Sequence, residues 1–93
     1  MNRSDLIDIV AAETGLSKAA SERAVNTFLA AITDGLSRGE RVTVSGFGTF
    51  EVRKRKARVG RIPQTGEPVR IPEHLTPAFV AGVGLKRVVR KSQ

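Results

Sequence analysis

Between Arg53 and Arg70 the chain reads Arg-Lys-Arg-Lys-Ala-Arg-Val-Gly-Arg-Ile-Pro-Gln-Thr-Gly-Glu-Pro-Val-Arg, seven cations against one anion, with a Pro63-to-Gly66 turn near its middle. Side chains of an extended strand alternate between two faces. In one unbroken strand Lys54, Lys56 and Arg58 therefore fall on one side and Arg53, Arg55 and Arg61 on the other. Charges are not buried without partners, so neither face can lie against an apolar core. The expected structure is a two-stranded ribbon that stands in solvent. At about 3.3 Å per residue, ten residues reach roughly 30 Å, the width of a small domain. Protecting a sheet edge needs one or two charges, so the excess points to a polyanionic partner.

The rest of the charge agrees. Residues 1–46 carry five Lys/Arg against six Asp/Glu, and residues 47–93 carry eleven against three, so minus one and plus eight make the net plus seven. A basic coat serving solubility alone would not spare half the chain; the asymmetry is a footprint for nucleic acid or an anionic surface. The lipid alternative lacks support, because no apolar run approaches the roughly 18 residues that span a bilayer and the basic segment has no large apolar wedges. The N-terminus enters Asp5, Asp8 and helix-period residues directly, without a charged-then-apolar leader, so the chain is expected to stay in the cytoplasm. With no cysteine and one histidine, His74, neither a disulfide, a thiolate nucleophile nor a metal centre is expected, and no cofactor.

Asn2 followed by Asp5 starts a helix over residues 3–14, with Leu6, Ile7, Val10 and Ala11 at helical spacing and Gly15 as the stop. Ser17 caps a second helix whose Val25, Phe28, Leu29, Ile32 and Leu36 form one stripe ending at Gly39. The period then drops to two. A strand is expected from about Arg41, a second from Thr49 after Gly46-Phe47-Gly48, and a return strand broken near Pro72, with Pro68 and Pro72 suited to an exposed edge. Leu85, Val88 and Val89 share a face of a short C-terminal helix opposite Lys86, Arg87, Arg90 and Lys91. The fold class is α+β in one domain: helical base 1–40, sheet 41–82 with an arm over 53–72, and helix 83–91. If the arm projects, the residual core is small enough that dimerisation is expected.

Other chemistries find little footing. Asp5 and Asp8 share a helix face near the start of the first helix, and acids in a first turn complement the helix dipole without catalytic work. Gly46-Phe47-Gly48 is a fragment of a dinucleotide fingerprint, and Gly60 to Gly66 lacks the Gly-Lys-Ser/Thr ending of a phosphate loop. No enzyme is expected. At the arm's tip Ile62 and Pro63 are apolar among polar neighbours. Pro63 presets a turn closed by Gly66, and a rigid apolar tip on a cationic arm also suits a wedge between base steps. Both readings stand on the residues alone.

Gly46-Phe47-Gly48-Thr49-Phe50, Gly60-Arg61-Ile62-Pro63-Gln64-Thr65-Gly66, Pro77-Ala78-Phe79 and the opening Met1-Asn2-Arg3 with Leu6-Ile7 together resemble the HU family of bacterial histone-like DNA-binding proteins, in register over essentially the whole chain. That family is itself a standard example of minor-groove architectural binding. The resemblance implies an intertwined homodimer with a helical base, a saddle of strands and two arms embracing double-stranded DNA in the bacterial nucleoid, bending and compacting it with low sequence specificity. By position it implies that Pro63 is the intercalating tip, that Arg58 and Arg61 face the groove, and that Arg53, Arg55 and Lys86 meet phosphates. Lys54, Lys56, Ile62, Gln64 and Arg70 complete the expected DNA-binding surface. Phe47, Phe50, Phe79 and Phe28 are expected in the dimer core. The family tip usually reads Arg-Asn-Pro, and Ile62 stands where Asn is expected. Alternatives are a site-specific subunit of the integration host factor type, which pairs with a paralogue, and an RNA-binding protein.

Overall fold

The structure is a computed structural model describing residues 1–92. Its elements in order are α1 (Arg3–Thr14), α2 (Lys18–Ser37), β1 (Val42–Val44), β2 (Gly48–Arg55), β3 (Arg58–Arg61), β4 (Pro68–Ile71), β5 (His74–Ala81) and α3 (Val83–Lys91).

The helix ends fall where the sequence signals them. The Asn2 side chain accepts from the Asp5 amide at 3.1 Å while the Asp5 carboxylate accepts from the Asn2 amide at 2.8 Å, a reciprocal box that satisfies two orphan donors. Ser17 accepts from the Ala20 amide at 3.1 Å and starts α2. At the far end of α2, Glu40 N–H donates to the Gly35 carbonyl and Gly39 N–H to Leu36, with Gly39 at φ 75°. This paired closure needs the left-handed conformation that glycine adopts without strain. Arg38 bridges Asp34 and Glu40 beside it, and hydrogen bonds to Glu40 and then Asp34 raise its already high pKa.

β2 is the centre of a three-stranded antiparallel sheet in the order β1-β2-β5. β1 meets it through a tight turn in which Phe47 N–H donates to Val44 at 2.9 Å and Gly46 takes φ 81°. Phe50 pairs directly with Phe79 across β2 and β5, and their rings lie 4.8 Å apart; Phe47 joins from the turn at 5.3 Å from Phe79. Pro77, opposite Val52, is accommodated because β5 is an edge strand. α2 packs on β1 at Gly35, where an added Cβ would stand 3.0 Å from Val42 Cγ2. The start of α3 is tied to the same corner: Gly82 N–H donates to the Phe47 carbonyl at 2.8 Å.

Little of this surface is closed. Among the described hydrophobic residues only Ile7 and Ile32 are buried, whereas Phe28 is 54% exposed, Phe47 45% and Phe79 41%. Leu6, Val10, Ala24, Val25, Phe28 and Leu29 line an open groove of about 350 Å³ between the two helices. The accessible surface is 7552 Å², against about 5,200 Å² for a folded monomer of 10.0 kDa. The radius of gyration is 18.3 Å, where about 12 Å is usual for this length.

Candidate nucleic-acid interface

β3 and β4 form a separate two-stranded sheet, and no other element packs extensively against either of them. The ribbon thus stands away from the helical body in a molecule 54 Å long and about 30 Å across its other two axes. The expectation of one unbroken strand through the basic run is corrected: the ladder stops at Arg55 opposite His74 and resumes at Arg58 opposite Ile71. Lys56 and Ala57 on one side match Pro72 and Glu73 on the other, so two residues are skipped on each side and the register runs through unchanged. Pro72, which would face Ala57, has no N–H to give, and the ladder opens there.

The register is preserved but the hydrogen-bonding phase is not: bonded pairs fall on odd residues at the body end, where Gly82 N–H donates to Phe47, and on even residues in the ribbon, where Ile62 N–H donates to Glu67, so the alternation expected of one unbroken strand does not carry across the gap. Within β2 and β5, Arg53 and Arg55 share a face with Thr76 and His74. Within the ribbon, Val59 and Arg61 share one face with Arg70, and Arg58 and Gly60 share the other with Val69 and Ile71. That second face is drier in the arm than its charges imply. An added Cβ at Gly60 would stand 3.1 Å from Ile71 Cδ1, so the isoleucine lies over the glycine and gives the ribbon a small apolar contact of its own. A bare two-stranded ribbon is otherwise marginal in water.

The tip is a closed turn. Ile62 N–H donates to Glu67 at 2.9 Å, Gly66 N–H donates back to Ile62 at 2.7 Å, and Gly66 sits at φ 72°. Ile62 at the place of the family's Asn keeps φ negative, so its branched side chain is not strained. Pro63 and Gln64 are exposed at the extremity and Ile62 is half-buried. The Arg61 guanidinium donates to the Gly66 carbonyl at 3.0 Å and so fastens the turn from within its own strand.

The cations divide into held and free. Arg53 lies 3.4 Å from Glu51, and Lys54 lies 2.9 Å from Glu73. Among the described residues Arg55, Lys56, Arg58 and Arg70 have no ion-pair partner. Three of these four, Arg55, Lys56 and Arg58, gather at the ladder gap, where with Ala57, His74 and Thr76 they line an open cleft of about 520 Å³. His74 and Thr76 were not expected there. Counting pairs back from the Pro63-to-Gly66 turn would have set His74 opposite Arg55, which is the signal the sequence held. Lys86 lies apart from the ribbon on α3, beside Val83, Arg87, Arg90 and Lys91 around a second open cleft. The Asp5 carboxylate is used in capping and Asp8 lies 3.7 Å from Lys18, so neither acid is left for other chemistry.

The sequence profile of the bacterial DNA-binding protein family matches residues 1–90. A DNA-binding protein HU of Lactococcus lactis is 54% identical over 89 residues, covering 96% of this chain and 98% of its own. HU-beta of Serratia marcescens is 49% identical over the same span, covering 96% of this chain and 99% of its own. Among solved structures, HU from an Anabaena HU-DNA cocrystal superposes with a TM-score of 0.89 at 40% identity, covering 96% of this chain and 97% of that one. HU from Thermotoga maritima superposes with a TM-score of 0.67 at 31% identity, covering 96% and 98%. Sequence, fold and the projecting basic ribbon converge: the chain belongs to the HU family of bacterial DNA-binding proteins.

Proposed function

We propose that two copies of this chain associate through their uncovered apolar faces and that the pair binds double-stranded DNA with both ribbons, bending it with little sequence preference and so compacting the nucleoid. The excess surface and the exposed Phe28, Phe47 and Phe79 support the association, since a lone protomer leaves these rings in water at a cost that a second copy removes. In this reading the four phenylalanines fill the shared core. The relatives carry the name DNA-binding protein, and one of them is solved with DNA.

The single observation that carries the reading is the ribbon itself: unpaired cations at its root and an exposed proline at its free end, detached from the body. Arg55, Lys56, Arg58 and Arg70 neutralise phosphates and release condensed counterions, which gives affinity that is independent of sequence and falls with salt. Arg53 and Lys54 join after exchanging a carboxylate for a phosphate. Arg58 and Arg61 enter the narrow minor groove. Pro63, backed by Ile62 and flanked by Gln64, wedges between base steps, the mode for which this family is a standard example, and Lys86 meets backbone outside the ribbon. No step of this needs a cofactor or makes or breaks a covalent bond.

The test is duplex binding at two salt concentrations with the bend read by end-to-end energy transfer. Wild type binds tightly in dilute buffer and weakens with salt, and Pro63→Ala loses more bend than affinity. No binding at low salt sinks the proposal. Equal loss of bend and affinity removes the wedge, and tighter binding of duplex RNA would replace DNA as the partner.

A further inference from the structure

We infer that the cleft at the root of the ribbon is a phosphate-binding subsite whose donor set is completed by protonated His74, so that the grip on a backbone phosphate of duplex DNA tightens as the imidazole takes up a proton. The inference rests on the DNA-binding reading and assigns His74 a role within it. β5 sets His74 directly across from Arg55 and two residues from Thr76, and Lys56 and Arg58 close the cleft at the gap in the ladder. Three cations and a hydroxyl around one opening suit an oxyanion with several acceptor oxygens.

The histidine's hydrogen bond fixes what it offers. Nδ1 lies 3.0 Å from the Pro72 carbonyl, and a carbonyl only accepts, so Nδ1 carries the hydrogen. In the neutral ring Nε2 then presents a lone pair, which repels a phosphate oxygen. Protonation makes Nε2 an N–H donor on a charged ring, and the cleft gains both a hydrogen bond and a fourth cation. The charged groups that face His74 are Arg55 from β2, Lys56 from the gap and Arg58 from β3. The one acid beside it in sequence, Glu73, is not among the residues that line the cleft and is engaged by Lys54 at 2.9 Å. Among the described residues no carboxylate lines the cleft.

Histidine changes charge near neutrality, while a phosphodiester stays anionic throughout that range. The added affinity is therefore present while the ring is protonated and is lost as it deprotonates.

The experiment follows the Kd of wild type, His74→Gln and His74→Ala for one duplex at fixed ionic strength from about pH 5.5 to pH 8.5, with the imidazole resonances recorded with and without DNA. Wild type is expected to lose about three- to tenfold in affinity across the range relative to either variant, between a screened surface pair and a hydrogen bond to a charged group. Its imidazole titration is expected to move on binding DNA. Any contribution of the amino terminus is common to all three proteins and cancels. Tight binding with one shared pH profile, or an imidazole titration that DNA does not move, overturns the inference and leaves DNA binding standing. Absence of binding at every pH overturns both.

Discussion

One antiparallel register runs from Gly48 opposite Ala81 to Arg61 opposite Pro68, yet the two ends of that ladder are held by different forces. At the body end, a Cβ added to Gly48 would stand 2.5 Å from the Phe79 ring and 2.6 Å from the Val80 carbonyl. At the ribbon end, a Cβ added to Gly60 would stand 3.1 Å from the terminal carbon of Ile71, a group free to swing aside. Closeness of packing specifies the first region, and charge and solvation specify the second. A protein that must both persist as a fold and embrace a large, sequence-indifferent polyanion places these two demands on separate stretches of the same strands.

Gly48→Ala gives the hardest test of this division. It is expected to cost about 3 kcal/mol or more in chemical denaturation, because backbone and an aromatic ring must both move, whereas Gly60→Ala should stay within about 1 kcal/mol. Similar costs for the two would break the comparison. Phe79→Ala, which removes the ring shared by Phe47 and Phe50, should cost about 2–3 kcal/mol and raise the concentration at which dimers dissociate in sedimentation. Arg55→Ala and Arg58→Ala should leave stability within about 0.5 kcal/mol while each lowers the slope of log affinity against log salt by about 1. The one change with no expected loss is at Ser21, whose hydroxyl is fully buried without a hydrogen-bond partner. Ser21→Ala should be neutral or stabilise by up to about 1 kcal/mol, showing that the body rejects an added methyl at Gly48 and tolerates a lost hydroxyl.

Most of the architecture was legible because its signals are local. Asn2 with Asp5, Ser17, Gly15 and Gly39 punctuate the helices by capping chemistry that depends on a few neighbouring residues. The ribbon was legible because seven charges on alternating faces exclude burial. The gap at Lys56 and Ala57 was not, since its cause lies fifteen residues away at Pro72 and acts only once the register is known. For the same reason His74 read as a lone histidine, although pairing places it among three cations. The division of cations into held and free was equally hidden, because Glu51 and Glu73 choose Arg53 and Lys54 through folded geometry.

The matched gap also bears on how the protein lets go of its ligand. Lys56, Ala57, Pro72 and Glu73 are left out of both ladders, so a change of pitch between ribbon and sheet at this joint breaks no ladder pair. A bulge on one strand alone would shift every partner beyond it, and each release would risk re-zipping out of step. An even gap works like an expansion joint in a rail: the track flexes, and the sleepers on the far side still meet their own bolts.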